Sequence, residues 1–294
     1  MPTAGVASEK TLPPELLPVL GRIAEVNSLP EVAAKIVEVV EDPRSSVHDL
    51  HRIVRCDPAL AAKILKVVNS AFYGLPSQVA SLDRAILLLG LTAVKNIALA
   101  ASLSRLFSPE GLSEQLVARE LWRHSLAVAV CSRLVAQIGG RVSAEEALVA
   151  GLVHDMGLMV VHQFFRRKLR EVIERCQRER QAFCAIEQEV LKTDHQVWGA
   201  ALAAKWKFPA SLRQTIAYHH EPSLAPIEHQ CISTVVYVAD TLCGESRLGF
   251  FLTTQGQETP ESAWQTIGLE PQFAERVRQE LPQGVREAEQ VFGE

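Results

Sequence analysis

Glycine is sparse and proline no more than average, 16 and 15 in 294 residues, which excludes collagen-like and low-complexity architectures. The six cysteines, Cys56, Cys131, Cys176, Cys184, Cys231 and Cys243, never fall in a C-x-x-C pair. A disulfide scaffold is therefore excluded, and a reduced, cytoplasmic chain is expected. Neither charge is in large excess: 30 Lys and Arg stand against 34 Asp and Glu, a net charge of -4, so no global positive field draws the chain to nucleic acid or to an anionic membrane. The most apolar stretches, 85–103 and 147–161, are broken by Lys95 and by His154-Asp155 within the length that a membrane span needs. Residues 1–10 lack an apolar signal core. Strand alternation, Asn-Gly hairpin signals, fixed-period repeats, a Walker loop, a Rossmann glycine pattern and a nucleophile elbow are all missing.

What the chain does have is helical periodicity and, with 48% hydrophobic residues, enough apolar surface for one large domain or two small ones. Over 29–40, Val32, Ile36, Val39 and Val40 recur at spacings of three and four, one face of a helix that stops at Glu41-Asp42-Pro43. Ser46, with Asp49 three residues on, caps a second helix whose stripe is Leu50, Ile53 and Val54. Asp57 with Pro58 starts a third, because the N–H that proline lacks would be unpaired in a first turn anyway. A loop over 71–80 follows, Ser81 caps a fourth helix, and Gly90 separates it from a fifth over 92–106. Ser108-Pro109-Glu110-Gly111 marks an internal boundary, after which 113–138 reads as one long helix ended by Gly139-Gly140. Ser143 and Glu146 predict a capping box. Residues 166–189 read as one charged helical stretch, Thr193-Asp194 and Pro209-Ala210-Ser211 open two more helices, and 228–243 is a further apolar one. Beyond Gly244 a polar stretch, 253–261, and an amphipathic helix over 272–292 read as an appendage.

Five of the nine histidines, with two aspartates, fall where the helices of a bundle could aim them inward. His124 lies on the long helix, His154-Asp155 at the end of an apolar helix before Gly157, His195 at a helix start, His219-His220 at a helix end, and Asp240 on the apolar helix over 228–243. Imidazole and carboxylate together suit Fe, Mn or Zn, and an adjacent His and Asp can reach one ion that lies off the end of their helix. Each residue also has a plainer reading. A lone histidine on an apolar face is more often a hydrogen-bonded core residue, and Asp240 could pair with an arginine. Asp155, amid Leu152, Val153 and Met156, is costly to bury unpaired. His48, His51, His162 and His229 read as surface or boundary residues, and Trp122, Trp198 and Trp206 as core.

A family resemblance rests on particular residues: Leu29-Pro30, Asp57-Pro58-Ala59-Leu60, Leu65 followed by Asn69-Ser70-Ala71-Phe72-Tyr73-Gly74, Ser81 with Ala85-Ile86 and Leu89-Gly90, Leu121-Trp122-Arg123-His124, Gly151-Leu152-Val153-His154-Asp155-Met156-Gly157, Asp194-His195 with Gly199, and Trp206 with Pro209 and His219-His220. From Leu16 to about Asp240 the chain resembles the HDOD proteins, the signalling branch related to the HD phosphohydrolases. The resemblance implies an all-α, two-lobed helical fold: a tail over 1–11, an HDOD domain over 12–244 with an N-terminal lobe (12–110) and an HD-like bundle (111–244), and a C-terminal helical extension over 245–294.

The resemblance also implies a bacterial signalling or regulatory module that acts by binding a protein or a small ligand, without catalysis. His124, His154, Asp155, His195, His219, His220 and Asp240 match the metal-ligand order of the related HD-GYP phosphodiesterases, which raises the alternative of a metal-dependent phosphohydrolase acting on a cyclic dinucleotide or another nucleotide. Two departures weigh against turnover. Leu158 stands where those enzymes have a lysine, and Pro222-Ser223-Leu224 replaces their Gly-Tyr-Pro loop. Nucleic acid and membrane are not expected partners. Asp49 to Asn69 can be drawn as helix, turn, helix, but the basic run Arg166-Arg167-Lys168 with Arg170, Arg175, Arg178 and Arg180 alternates with Glu171, Glu174 and Glu179, as on a solvated face.

Overall fold

Short polar residues dictate where the helices start. In the computed structural model, which describes residues 10, 12–19, 21, 29–71, 73–104 and 115–292, α1 (Glu31–Glu41) follows Pro30. Ser46 and Asp49 close a reciprocal capping box on α2 (Val47–Val54), satisfying two backbone donors that a helix start leaves free. The Asp57 carboxylate accepts the Leu60 N–H at 2.9 Å to start α3 (Pro58–Val68). Ser81 caps α4 (Leu82–Leu89), and Gly90, at φ +85°, makes the corner into α5 (Leu91–Leu103). The expected boundary at 108–111, the expected helix start at Ser113, Phe72, and all of the 1–11 tail but Lys10 lie outside the described residues.

The second lobe comprises α6 (Gln115–Gly139), α7 (Ala144–Val153), α8 (Met156–Phe164), α9 (Arg166–Glu179), α10 (Phe183–Leu191), α11 (His195–Lys205), α12 (Ala210–Tyr218) and α13 (Ile227–Glu245). A 3-10 turn (Phe251–Thr254), α14 (Glu261–Ile267) and α15 (Phe273–Phe292) complete the chain. The fold is all-α in two lobes, with no strand among the described residues.

Helix α5 joins the lobes. Every residue from Val94 to Leu103 is buried, with α1 and α3 packed on it from one side and α7 from the other. Tyr73 adds a second link: the Arg133 guanidinium of α6 sits 4.4 Å from its ring centre, a cation–π contact. Asn69 holds the intervening loop in place, its amide donating to the Val79 carbonyl at 2.8 Å and accepting the Val79 N–H at 2.6 Å.

Three details differ from the sequence reading. The charged stretch 166–189 is two helices, because Arg180 adopts φ +55° and its N–H closes on the Cys176 carbonyl as the cap of α9. At α7 only half of the predicted capping box forms: Ser143 Oγ accepts the Glu146 N–H at 3.3 Å, while Glu146 lines a cavity between the lobes. The segment after Gly244 packs as part of the core, with Ala274, Val277, Leu281, Val285 and Ala288 buried and α15 lying along α6 and reaching α3. The stretch Ala144–Phe164 is long and apolar enough to cross a membrane by composition, but 83% of its window is buried inside the fold and the helix breaks at His154-Asp155. All six cysteines are free.

Leu281 is 1% exposed, so Leu281→Ala is expected to lower stability by about 2–5 kcal/mol, read as a reduced urea midpoint. An unchanged midpoint would mean that α15 is not an integral part of the core.

Candidate metal centre

Five helices converge on one point. His154 caps the C-terminus of α7, Asp155 follows it, His195 opens α11, His219 caps α12 with His220 next, His124 lies mid-way along α6, and Asp240 lies on α13. All seven predicted residues come together. His124, His154, His195, His219 and Asp240 are 0% exposed and Asp155 is 4% exposed; the His220 side chain, at 9%, is the most open.

Glycine permits this convergence. A Cβ on Gly157 would collide with the His195 carbonyl and approach Gly199 N at 2.7 Å, so α8 and α11 cross backbone to backbone and bring His195 against Asp155. Gly249, at φ +70°, passes equally close to the backbone of His124.

Every histidine of the cluster is held through Nδ1. His124 Nδ1 donates to the Leu248 carbonyl (3.0 Å), His154 Nδ1 to Gly151 (2.7 Å) and His219 Nδ1 to Ile216 (3.0 Å). His195 Nδ1 donates to the Glu187 carboxylate (2.6 Å) and His220 Nδ1 to the Gln257 amide oxygen (2.8 Å). Because these partners accept, the Nδ1 atoms carry the hydrogens, and in each neutral ring Nε2 keeps its lone pair. Those lone pairs meet one another: His195 Nε2 lies 3.3 Å from His219 Nε2 and 3.2 Å from His220 Nε2. His124 Nε2 lies 2.9 Å from Asp240 Oδ1. Acceptor facing acceptor at such distances is repulsive unless a proton or a cation lies between them.

The orphaned atoms show where a cation belongs. His154 Nε2, both oxygens of Asp155 and Asp240 Oδ2 are buried without a hydrogen bond, a costly state for polar atoms. Asp155 divides the cluster in two. Its Oδ2 faces His154 (3.2 Å) and His124 (3.9 Å), with Asp240 Oδ1 beside both. Its Oδ1 faces His195 (3.2 Å) and His219 (3.4 Å), with His220 completing that half. The donor atoms of His124, His154 and Asp155 lie within 4.8 Å of one another, as do those of Asp155, His195, His219 and His220. The residues therefore fit a transition-metal site: His124, His154 and Asp240 with one oxygen of Asp155, and His195, His219 and His220 with the other, would offer it nitrogen and oxygen donors.

Electrostatics divide the histidines. Burial pulls His154 and His195 down, but the carboxylates beside them, Asp155 for His154 and Glu187 with Asp155 for His195, hold both above the ordinary imidazole value, so in the metal-free chain these two rings carry the proton that a cation would displace. Burial, reinforced for His220 by the neighbouring imidazoles, holds His219 and His220 down to about 3, so both are neutral and able to ligate. Burial pushes Asp155 up, but the surrounding histidines, His154 first, hold it well below the ordinary carboxylate range. Glu187 is pushed up by burial, partly offset by His195. A carboxylate behind a ligating imidazole fixes its tautomer and raises its basicity.

Sequence analysis missed Glu187, Gln257 and the Leu248 carbonyl. A signal for Glu187 was present: it shares the apolar face of α10 with Phe183, Ile186 and Val190. His162, expected at the surface or boundary, is 1% exposed within α8. Trp122 and Trp198 are buried, and Trp206 is half-buried.

The HDOD domain model matches residues 26–222, and the chain belongs to the HDOD family. It is 27% identical over 228 residues to an uncharacterized protein of Treponema pallidum (strain Nichols), an alignment covering 75% of this chain and 43% of that protein. The chain thus matches less than half the length of that relative. The crystal structure of an HDOD domain protein with unknown function from Geobacter sulfurreducens superposes with a TM-score of 0.76 at 23% identity, covering 93% of this chain and 97% of the other. A structure from Marinobacter aquaeolei VT8, named "Putative signal transduction protein", gives 0.71 at 22% identity over 95% of this chain and 64% of that one. At these identities the likeness establishes the fold.

Glu187→Gln keeps the hydrogen bond to His195 but removes the charge, and is expected to weaken metal binding about 10–100-fold in a competition titration with a chelator. His219 and His220 resist protonation down to about 3 when folded, whereas in the unfolded chain they take up protons near ~6.5, so these two rings make the metal-free chain lose stability as pH drops below ~6.5; His154 and His195, held above the ordinary value, act in the opposite sense. In a ring-resolved NMR titration of the metal-free protein, His219 and His220 are expected to stay neutral at pH ~5 while His154 and His195 are protonated. Protonated His219 and His220 at that pH would overturn the neutral assignment.

Proposed function

We propose that this chain is a metal-loaded HDOD signalling module that acts by binding rather than by turnover. Fe, Mn or Zn at the cluster is expected to tie α6, α7, α11, α12 and α13 into one rigid unit whose surfaces engage a signalling protein or a small ligand. The observation that carries this reading is that six of the seven residues are at most 4% exposed and the seventh, His220, is partly covered by the C-terminal extension. Gln257 covers His220 and also donates to Thr241 Oγ1 at 2.7 Å, and the Tyr237 hydroxyl donates to the Glu258 carbonyl at 2.5 Å. Leu158, where the related hydrolases have a lysine, is 0% exposed in the core. It offers no charge to a phosphate.

A second reading, a metal-dependent phosphodiesterase, is favoured by one specific feature. A cavity of about 410 Å³ opens beside His220, lined by Glu221, Gln230, Tyr237 and Ser262 among others. Ions at the centre would supply Lewis acidity and an activated water, and the cavity would receive the ester. It contains no Lys or Arg side chain, so all neutralisation of phosphate charge would fall to the ions.

Elemental analysis of protein purified without chelator or affinity tag is expected to show near-stoichiometric Fe, Mn or Zn in the wild type and loss of it in Asp155→Ala. Cyclic dinucleotides and simple phosphodiesters, assayed with those ions added, are expected to remain intact. Hydrolysis that disappears in Asp155→Ala would replace the binding reading with the hydrolase one.

A further inference from the structure

Lys95 carries a charge into the interior without a carboxylate bound to it. It lies on α5, is 7% exposed, and its ammonium has one hydrogen-bond partner among the described residues, the Ser45 hydroxyl. That hydroxyl is already committed to the backbone carbonyls of Val39 and Asp42, both at 2.6 Å. An ammonium has three donors, so two remain. The carboxylates of Asp42 and Asp49 attract the ammonium through space, but neither forms an ion pair with it. Beside it, Asn96 is 6% exposed, and its side-chain amide makes no hydrogen bond among the described residues. Both side chains line a cavity of about 440 Å³ between the lobes, within the size range of small-molecule sites.

The opposite wall brings further donors. Ser211 lies in the first turn of α12 and lines the same cavity. That helix has Pro209 at its N-cap with no side-chain cap, so its first amides are unpaired and its positive dipole end faces the space. Two acids, Glu41 and Glu146, also border the cavity. Glu41 is exposed and Glu146 half-buried, so both belong to the more solvated part of the lining. Burying an amine costs free energy unless a partner compensates, and a ligand oxyanion is the partner this geometry lacks.

We propose that the interlobe cavity binds a small metabolite bearing an oxyanion, a carboxylate or a phosphate, which Lys95 and Asn96 grip from the N-terminal lobe while Ser211 and the start of α12 grip it from the HD-like lobe. The site has a direct route to the metal centre. Helix α12 runs from Ser211 at the cavity to His219, and α7 runs from Glu146 at the cavity to His154 and Asp155. Each helix spans about 14–15 Å at 1.5 Å per residue. A ligand that draws the lobes together at one end of these two rods shifts metal ligands at the other. The inference is independent of whether the centre hydrolyses anything.

The test is calorimetric titration of the full chain with inorganic phosphate and, separately, with acetate, on the wild type, Lys95→Met and Asp155→Ala. The expected result is saturable binding of at least one anion by the wild type, weakened at least tenfold in Lys95→Met and retained in Asp155→Ala, with its affinity shifted there less than in Lys95→Met because coupling between the two sites is reciprocal; which anion binds tells phosphate from carboxylate. If Lys95→Met fails to fold, Asn96→Ala takes its place with the same expectation. Absence of saturable binding of either anion, equal binding in the cavity variant, or binding lost in Asp155→Ala but kept in the cavity variant would overturn the proposal, the last placing the anion on the metal ions.

Discussion

Two carboxylates and five imidazoles cannot be removed from water without something to share between them. Asp155 and Asp240 lie in the deeply buried part of the HD-like lobe, and their oxygens face imidazole Nε2 atoms across gaps that only a proton or a cation can fill. The helices that deliver these residues are closely packed and mostly apolar, so the chain cannot relax to let water in. The lobe is organised around that constraint: glycines at the α8–α11 crossing, a carbonyl or carboxylate behind every Nδ1, and a C-terminal segment closing the last gap over His220.

Much of this was legible in the chain, because helix starts are local events. Ser46, Asp57, Ser81 and Asp194 announce their helices through side chains within three residues of the amides they serve. The seven inward-pointing residues were legible too, since His-Asp at a helix end and His-His at another are unusual placements for polar groups beside apolar runs. The supporting layer was harder to read. The Leu248 carbonyl is backbone and has no sequence signature. Gln257 sits in a polar loop, where glutamine is unremarkable. Glu187 is one acid among many in a charged region, and only its place on the apolar face sets it apart. The role of α15 was hidden for a related reason: an amphipathic helix shows that it has a partner, but not that the partner is α6.

The interlobe cavity and the metal centre are joined by the same two helices, approached from opposite ends. Helix α7 begins at Ser143 and finishes at His154; α12 begins after Pro209 and finishes at His219. Short, well-packed helices behave as stiff rods, so displacement at one end is transmitted rather than absorbed. Under the signalling role proposed above, such rods would give a physical route from an occupied cavity to the His/Asp cluster, and from there to the surfaces of α13 and the C-terminal extension.

The HDOD match ends at residue 222, yet Asp240, the Leu248 carbonyl and Gln257 all lie beyond it. The unit recognisable by descent and the unit that completes the coordination shell are therefore of different length. A module transplanted at the family's edge would carry four helices' worth of ligands and lose the fifth, together with the groups that orient His124 and cover His220. Across relatives built on the same helices, the residues C-terminal to the shared segment can decide whether the histidines hold ions or merely fill a core.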